Sequence, residues 1–157
     1  MPNALELRSI RLARNGRPIL TDFSLALAPG AQALLLGPSG CGKTSLLNIA
    51  AGLLTPDSGD ILLMGQPMPA QAAHRDALRR RNVGIVFQTL RLISALSLRD
   101  NLLLAARLAG QPADGIDRLL EQLNLSHRAD ARPRALSQGE AQRAAIARAL
   151  VARPALL

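Results

Sequence analysis

One stretch of this chain is suited to chemistry on phosphate. Residues 37–44 read Gly37-Pro38-Ser39-Gly40-Cys41-Gly42-Lys43-Thr44, which fits the spacing G-x-x-x-x-G-K-[ST] of a phosphate-cradling loop. Its glycines let backbone N–H groups turn inward with no Cβ in the way. The helical pattern that follows adds the partial positive charge of a helix start. Lys43 is a compact point charge that can reach between phosphates, where a guanidinium is planar and longer. It is the single Lys among 19 cations, the other eighteen being Arg, so this position has a chemical reason to stay Lys. The Thr44 hydroxyl is placed to coordinate Mg²⁺, and Ser45 joins the nucleotide-binding set as the next residue of the helix start. Cys41 occupies a variable position and reads as a small residue, not a redox centre.

Two further clusters carry weaker chemistry. In Leu136-Ser137-Gln138-Gly139-Glu140, Ser137-x-x-Glu140 is a helix capping box. The box accounts for Ser and Glu but not for Gly139, a poor residue in a first helical turn. A capped helix start with a free glycine amide is a second anion-binding end. Val86-Phe87-Gln88 reads as an apolar strand that ends in a polar residue.

Positioning these groups takes one domain's worth of chain. The sequence has 157 residues, 48% hydrophobic and 19% charged, with a net charge of +8, a globular composition. No apolar run approaches the roughly 18–20 residues of a membrane span, and the first ten residues lack the basic-then-apolar order of a secretory signal. A single cysteine excludes an intramolecular disulfide framework. With no Trp, no Tyr and only Phe23 and Phe87, the chain cannot build aromatic platforms for bases, and no nucleic acid is expected as partner. The cations concentrate in the second half, where Arg79, Arg80 and Arg81 form the one run; this reads as a solvated Arg-rich surface.

The element pattern is α/β. Leu5, Leu7, Ile10 and Leu12 alternate with a slip that marks a bulge, Asn15-Gly16 is a hairpin signal, and Phe23, Leu25 and Leu27 alternate in the returning strand. Ala33-Leu34-Leu35-Leu36 is a short apolar run, as expected of a strand buried on both faces just before the phosphate loop. A helix follows the loop. Ile61-Leu62-Leu63-Met64 reads as a strand, residues 71–81 as a helix, and 83–87 as a third buried strand. Residues 97–124 are helical with a break at Gly110-Gln111-Pro112, and 137–153 form a helix stopped by Pro154.

Taken together, the phosphate loop, then Gln88, then Leu136–Glu140 with its trailing Gln142-Arg143 and Ala147-Arg148-Ala149-Leu150, resemble the ATP-binding cassette (ABC) ATPases over essentially the whole chain. The look is nearest to lipoprotein-release or macrolide-export transporters. The family signature is written LSGGQ, so Gln138 and Glu140 are departures. The resemblance implies a P-loop NTPase (RecA-like) core with an antiparallel β subdomain and a helical subdomain, with its C-terminal part missing. It divides the single domain into residues 1–88 (β subdomain and P-loop core), 89–135 (helical subdomain) and 136–157 (signature helix and the start of a further strand). ATP and Mg²⁺ are the implied cofactors. Gln88 becomes the catalytic Q-loop residue reaching Mg²⁺ and water, and Ser137 and Gly139 face the γ-phosphate of ATP bound to a partner. Arg14 stands where the family puts the aromatic residue that stacks on adenine, and a guanidinium can also stack on a flat ring.

The implied role is the ATP-binding subunit of a membrane transporter. It would sit on the cytoplasmic side of the cell membrane, pair with a second ATP-binding subunit and drive transmembrane permease subunits. Residues 154–157 look like the start of the strand that ends in the Walker B Asp-Glu. Those acids and the later switch histidine do not occur in the chain, and His74 and His127 precede the signature and cannot replace that histidine. The 157 residues alone are therefore expected to bind nucleotide without turning it over. Two rivals stand beside this reading: a soluble ABC ATPase of DNA repair or translation, and a degenerate nucleotide-binding module without catalysis.

Overall fold

The computed structural model describes residues 2–157. The chain forms two compact units, one running up to Arg79 and including Leu156, the other Arg80–Ala155 with Leu157.

The first unit is built on a four-stranded antiparallel sheet. Its strands are β1 (Leu5–Arg14), β2 (Arg17–Leu27), β3 (Ser58–Leu63) and β4 (Gln66–Pro67), in the order β2-β1-β3-β4. Asn15 and Gly16 both take positive φ, 50° and 73°, as a two-residue turn matched to the twist of the strands requires. The β1–β2 register slips between Leu7 and Ile10. Ser9 sits there at φ 47°, and its amide donates to Ser24 Oγ at 2.9 Å. This is the bulge read from the alternation, and it keeps Leu5, Leu7, Ile10 and Leu12 all buried. Against them pack Leu46 and Ile49 of α1 (Lys43–Ala50) and Ile61 of β3. Asp57 Oδ2 accepts from the Ala13 amide at 2.7 Å, which ties the turn before β3 to the end of β1. The expected helix at 71–81 is α2 (Ala72–Asn82).

The second unit is helical. It holds α3 (Leu98–Leu108), α4 (Ile116–Gln122) and α5 (Gln138–Leu150), with short 3-10 turns at Ser126–Arg128 and Pro133–Ala135. Leu98, Leu102 and Ala106 of α3, Ile116 and Leu120 of α4, and Ala144 and Ala147 of α5 share one core. Ser97 caps α3 by accepting from the Asp100 amide. Asn101 is 2% exposed, and its side chain satisfies both backbone groups of Ile93, accepting from the amide at 2.8 Å and donating to the carbonyl at 3.1 Å. A buried amide so fully paired fixes the loop before α3.

Three sequence expectations need correction. Neither residues 33–36 nor 83–87 form a strand with a ladder partner among the described residues; Val83 keeps only an isolated bridge. Leu34 and Leu36 are 80% and 82% exposed, and Val86 is exposed as well. An apolar run specifies burial only where a neighbouring strand and a covering face are supplied, and a strand without a partner leaves its backbone groups to water. The last helix also ends at Leu150, three residues before Arg153.

Candidate nucleotide-binding site

The loop runs exposed over residues 37–41 and enters α1 through the half-buried Gly42. Gly42 is the N-cap of α1 at φ 95°, and no side chain caps the helix. The first backbone bond of the helix is Leu46 N to Gly42 O at 2.9 Å, so the amides of Lys43, Thr44 and Ser45 stand at an uncapped helix start. A Cβ on Gly42 would lie 2.7 Å from Ile19 Cγ2, so both the dihedral and the packing demand glycine here. Lys43 Nζ donates to the carbonyls of Gly37 at 2.8 Å and Pro38 at 2.7 Å, and Cys41 Sγ lies 3.8 Å away. The lone lysine is thus held inside its own loop. Thr44 is exposed and Ser45 partly so. Uncapped amides, an inward lysine and an exposed hydroxyl fit a triphosphate with Mg²⁺. Among the described residues no group of three His, Cys, Asp or Glu could hold a metal ion.

Arg14 ends β1 and pairs across the hairpin with Arg17. It is exposed, and no hydrogen bond joins it to the loop.

In the second unit, Gln88 is exposed in a turn. The residues after it are tightly held. Leu90 and Arg91 both take positive φ, 57° and 49°, and the Arg91 guanidinium lies 4.4 Å from the Phe87 ring centroid. Arg148 Nη1, from α5, donates to the Arg91 carbonyl. Left-handed conformations at two successive non-glycine residues persist only where surrounding contacts impose them.

At the start of α5 the capping box is complete. Ser137 Oγ accepts from the Glu140 amide at 3.3 Å, and Glu140 Oε2 accepts from the Ser137 amide at 2.8 Å. Glu140 Oε1 also accepts from Arg128 Nε at 2.8 Å and lies 3.3 Å from His127 Nε2. The Arg128 guanidinium, followed by the Ser137 hydrogen bonds, lowers the Glu140 pKa to about 2. Gly139 is exposed in the first turn. A Cβ there would meet only Arg143 Nη1 at 3.6 Å, an ordinary contact. Nothing in this chain's own fold requires glycine at 139.

The comparisons decide what these parts belong to. The profile of the ABC transporter family matches residues 20–157. The chain belongs to that family. It is 42% identical to the lipoprotein-releasing system ATP-binding protein LolD 1 of Rhodopirellula baltica, over 88% of this chain and 63% of the relative. It is 38% identical to the hemin import ATP-binding protein HrtA, a putative assignment, of Staphylococcus haemolyticus, over 88% and 65%. The chain therefore spans just under two thirds of the length of these relatives. Among solved structures, cbiO1 of Clostridium perfringens, part of the transporter complex cbiONQ, superposes with a TM-score of 0.84 at 28% identity, over 98% of this chain and 63% of that one. The dimeric bacterial ABC transporter cassette MJ0796 gives 0.86 at 26%, over 96% and 70%. The fold is that of the P-loop ABC cassettes, as the sequence motifs implied.

Sequence reading missed the contacts around Glu140 and Arg148. Arg128 lies 12 residues before Glu140 and Arg91 lies 57 before Arg148. No local spacing rule covers pairs that meet only after the helices pack.

Proposed function

We propose that this chain is the ATP-binding part of an ABC transporter subunit that couples ATP binding and hydrolysis to movement of a solute across a membrane. One observation carries the reading. Gly139 is free of any demand from its own fold, yet stands at a capped helix start in a family whose solved relatives include a dimeric cassette. Its bare backbone serves a ligand approaching from outside the chain, the phosphate of ATP held by a second subunit.

In this reading the amides of Lys43, Thr44 and Ser45 bind the phosphates, and the Lys43 ammonium leaves the Gly37 and Pro38 carbonyls to neutralise them. Gly37 to Gly42 wrap the same group. Thr44 and Gln88 would hold Mg²⁺, which supplies further neutralisation of phosphate charge. Gln88 orients the attacking water, and Ser137 and Gly139 close the partner's site. Arg14 stacks on adenine. The reading keeps the family's division into residues 1–88, 89–135 and 136–157, whereas the two compact units part between Arg79 and Arg80. The protein works at the cytoplasmic face of a membrane, paired with a second ATP-binding subunit and with transmembrane permease subunits. No helix among the described residues is long and apolar enough to cross a membrane. The names of the relatives, all ATP-binding proteins of release or import systems, favour a transporter over DNA repair or translation.

The test is affinity purification of the tagged natural protein from detergent-solubilised membranes. Recovery of a multi-spanning membrane protein in stoichiometric amount is expected. Recovery in the soluble fraction with ribosomes or DNA overturns the reading.

A further inference from the structure

The signature end of α5 contains an electrostatic conflict. Its exposed amides and the Ser137 hydroxyl are to receive a phosphate, yet its third residue, Glu140, is a carboxylate only 8% exposed. That carboxylate is useful to the fold, because Oε2 locks the Ser137 backbone. It is harmful to anion binding, because a negative charge within the first turn cancels the helix start's attraction. Oε1 is where the conflict is resolved. Arg128 Nε sits on it at 2.8 Å, with His127 Nε2 at 3.3 Å. Arg143 donates through Nε to the Leu123 carbonyl at 3.0 Å, while its Nη1 lies beside Gly139.

We propose that Arg128 is a positioning residue of the signature end, cancelling the Glu140 carboxylate so that the start of α5 keeps its affinity for the partner's phosphate. This rests on the reading above that Ser137 and Gly139 face ATP on a second subunit. A purely structural Arg128 would serve only to pair a buried charge. The two roles separate when the charge itself is removed. Gln at 140 still completes a capping box but carries no charge to cancel, so Arg128 should then become dispensable for dimerisation.

The experiment uses the natural full-length protein and ATPγS, with dimer formation followed by light scattering and monomer affinity by a fluorescent ATP analogue. Arg128→Gln should raise the ATPγS concentration for half-maximal dimer by about 10-fold, the scale of one uncompensated charge at an interface, with monomer affinity unchanged. Arg128→Lys should recover part of the loss. Glu140→Gln should stay within about 2-fold of wild type, and Arg128→Gln/Glu140→Gln within about 2-fold of Glu140→Gln. If Arg128→Gln melts early, the double variant carries the test, since it holds no unpaired carboxylate. A double variant as weak as Arg128→Gln, or an Arg128→Gln that dimerises normally, overturns the compensation. A wild-type protein that binds the analogue but never dimerises overturns the underlying reading and this inference with it.

Discussion

The starts of α1 and α5 carry glycines whose surroundings differ sharply. Gly42 is imposed from within: φ 95° and Ile19 at 2.7 Å from a would-be Cβ leave no alternative. Gly139 has ordinary helical surroundings and 3.6 Å of clearance. The helix starts differ in the same sense. α1 begins uncapped, with its lysine turned into the loop, whereas α5 begins with every atom of a capping box engaged. In the proposed reading, the uncapped start of α1 takes the chain's own nucleotide. In the same proposed reading, the fully capped start that still keeps a glycine serves a ligand brought by another molecule. A glycine that the fold does not need is therefore the more informative of the two.

The largest effect expected concerns the first end. Lys43→Ala should weaken binding of a fluorescent ATP analogue by on the order of 3 kcal/mol, the scale of losing one preorganised donor to an anion; equal affinities would remove the loop from the site. Next, Gly42→Ala should destabilise the first unit by about 1–3 kcal/mol, from backbone strain and the clash with Ile19, seen as a lower urea midpoint. An unshifted midpoint would erase the contrast between the glycines. Arg14 sharpens the picture of the same end: Arg14→Ser should cost about 1 kcal/mol of ATP affinity, the scale of an exposed cation–π contact, while Arg14→Tyr keeps or improves it. No change in either variant returns Arg14 to the solvated surface. The smallest effect is the most telling. Gly139→Ala should leave stability unchanged or raise it by at most about 1 kcal/mol, yet block ATP-dependent dimerisation. A loss of stability instead would show that the fold does need this glycine.

The phosphate loop, the hairpin with its bulge and the capped α5 were all legible because each obeys a rule spanning a few residues. Asn15-Gly16, Ser137-x-x-Glu140 and the glycine spacing of 37–42 need no knowledge of tertiary neighbours. Residues 33–36 and 83–87 were misjudged because apolar composition alone does not state which strand will lie alongside. The Arg128–Glu140 and Arg148–Arg91 contacts were invisible for a related reason. Each joins segments that only packing brings together, and eighteen arginines offered no way to pick these two out. The order of the motifs was readable from the sequence, but the strained backbone at Leu90 and Arg91 that follows Gln88 was not, since neither residue type favours positive φ.

The start of α3 carries a last consequence. The amides of Leu98 and Arg99 donate not to a local cap but to the carbonyls of Ala131 and Ala129, each at 2.8 Å. Those carbonyls lie on the segment that leads into α5. Opening the first turn of α3 to solvent thus requires releasing the approach to the signature helix, and the reverse holds as well. Amide hydrogen exchange at Leu98 and Arg99 should report the same opening free energy as the interior of α5, so that helices some forty residues apart in sequence unfold as one cooperative unit.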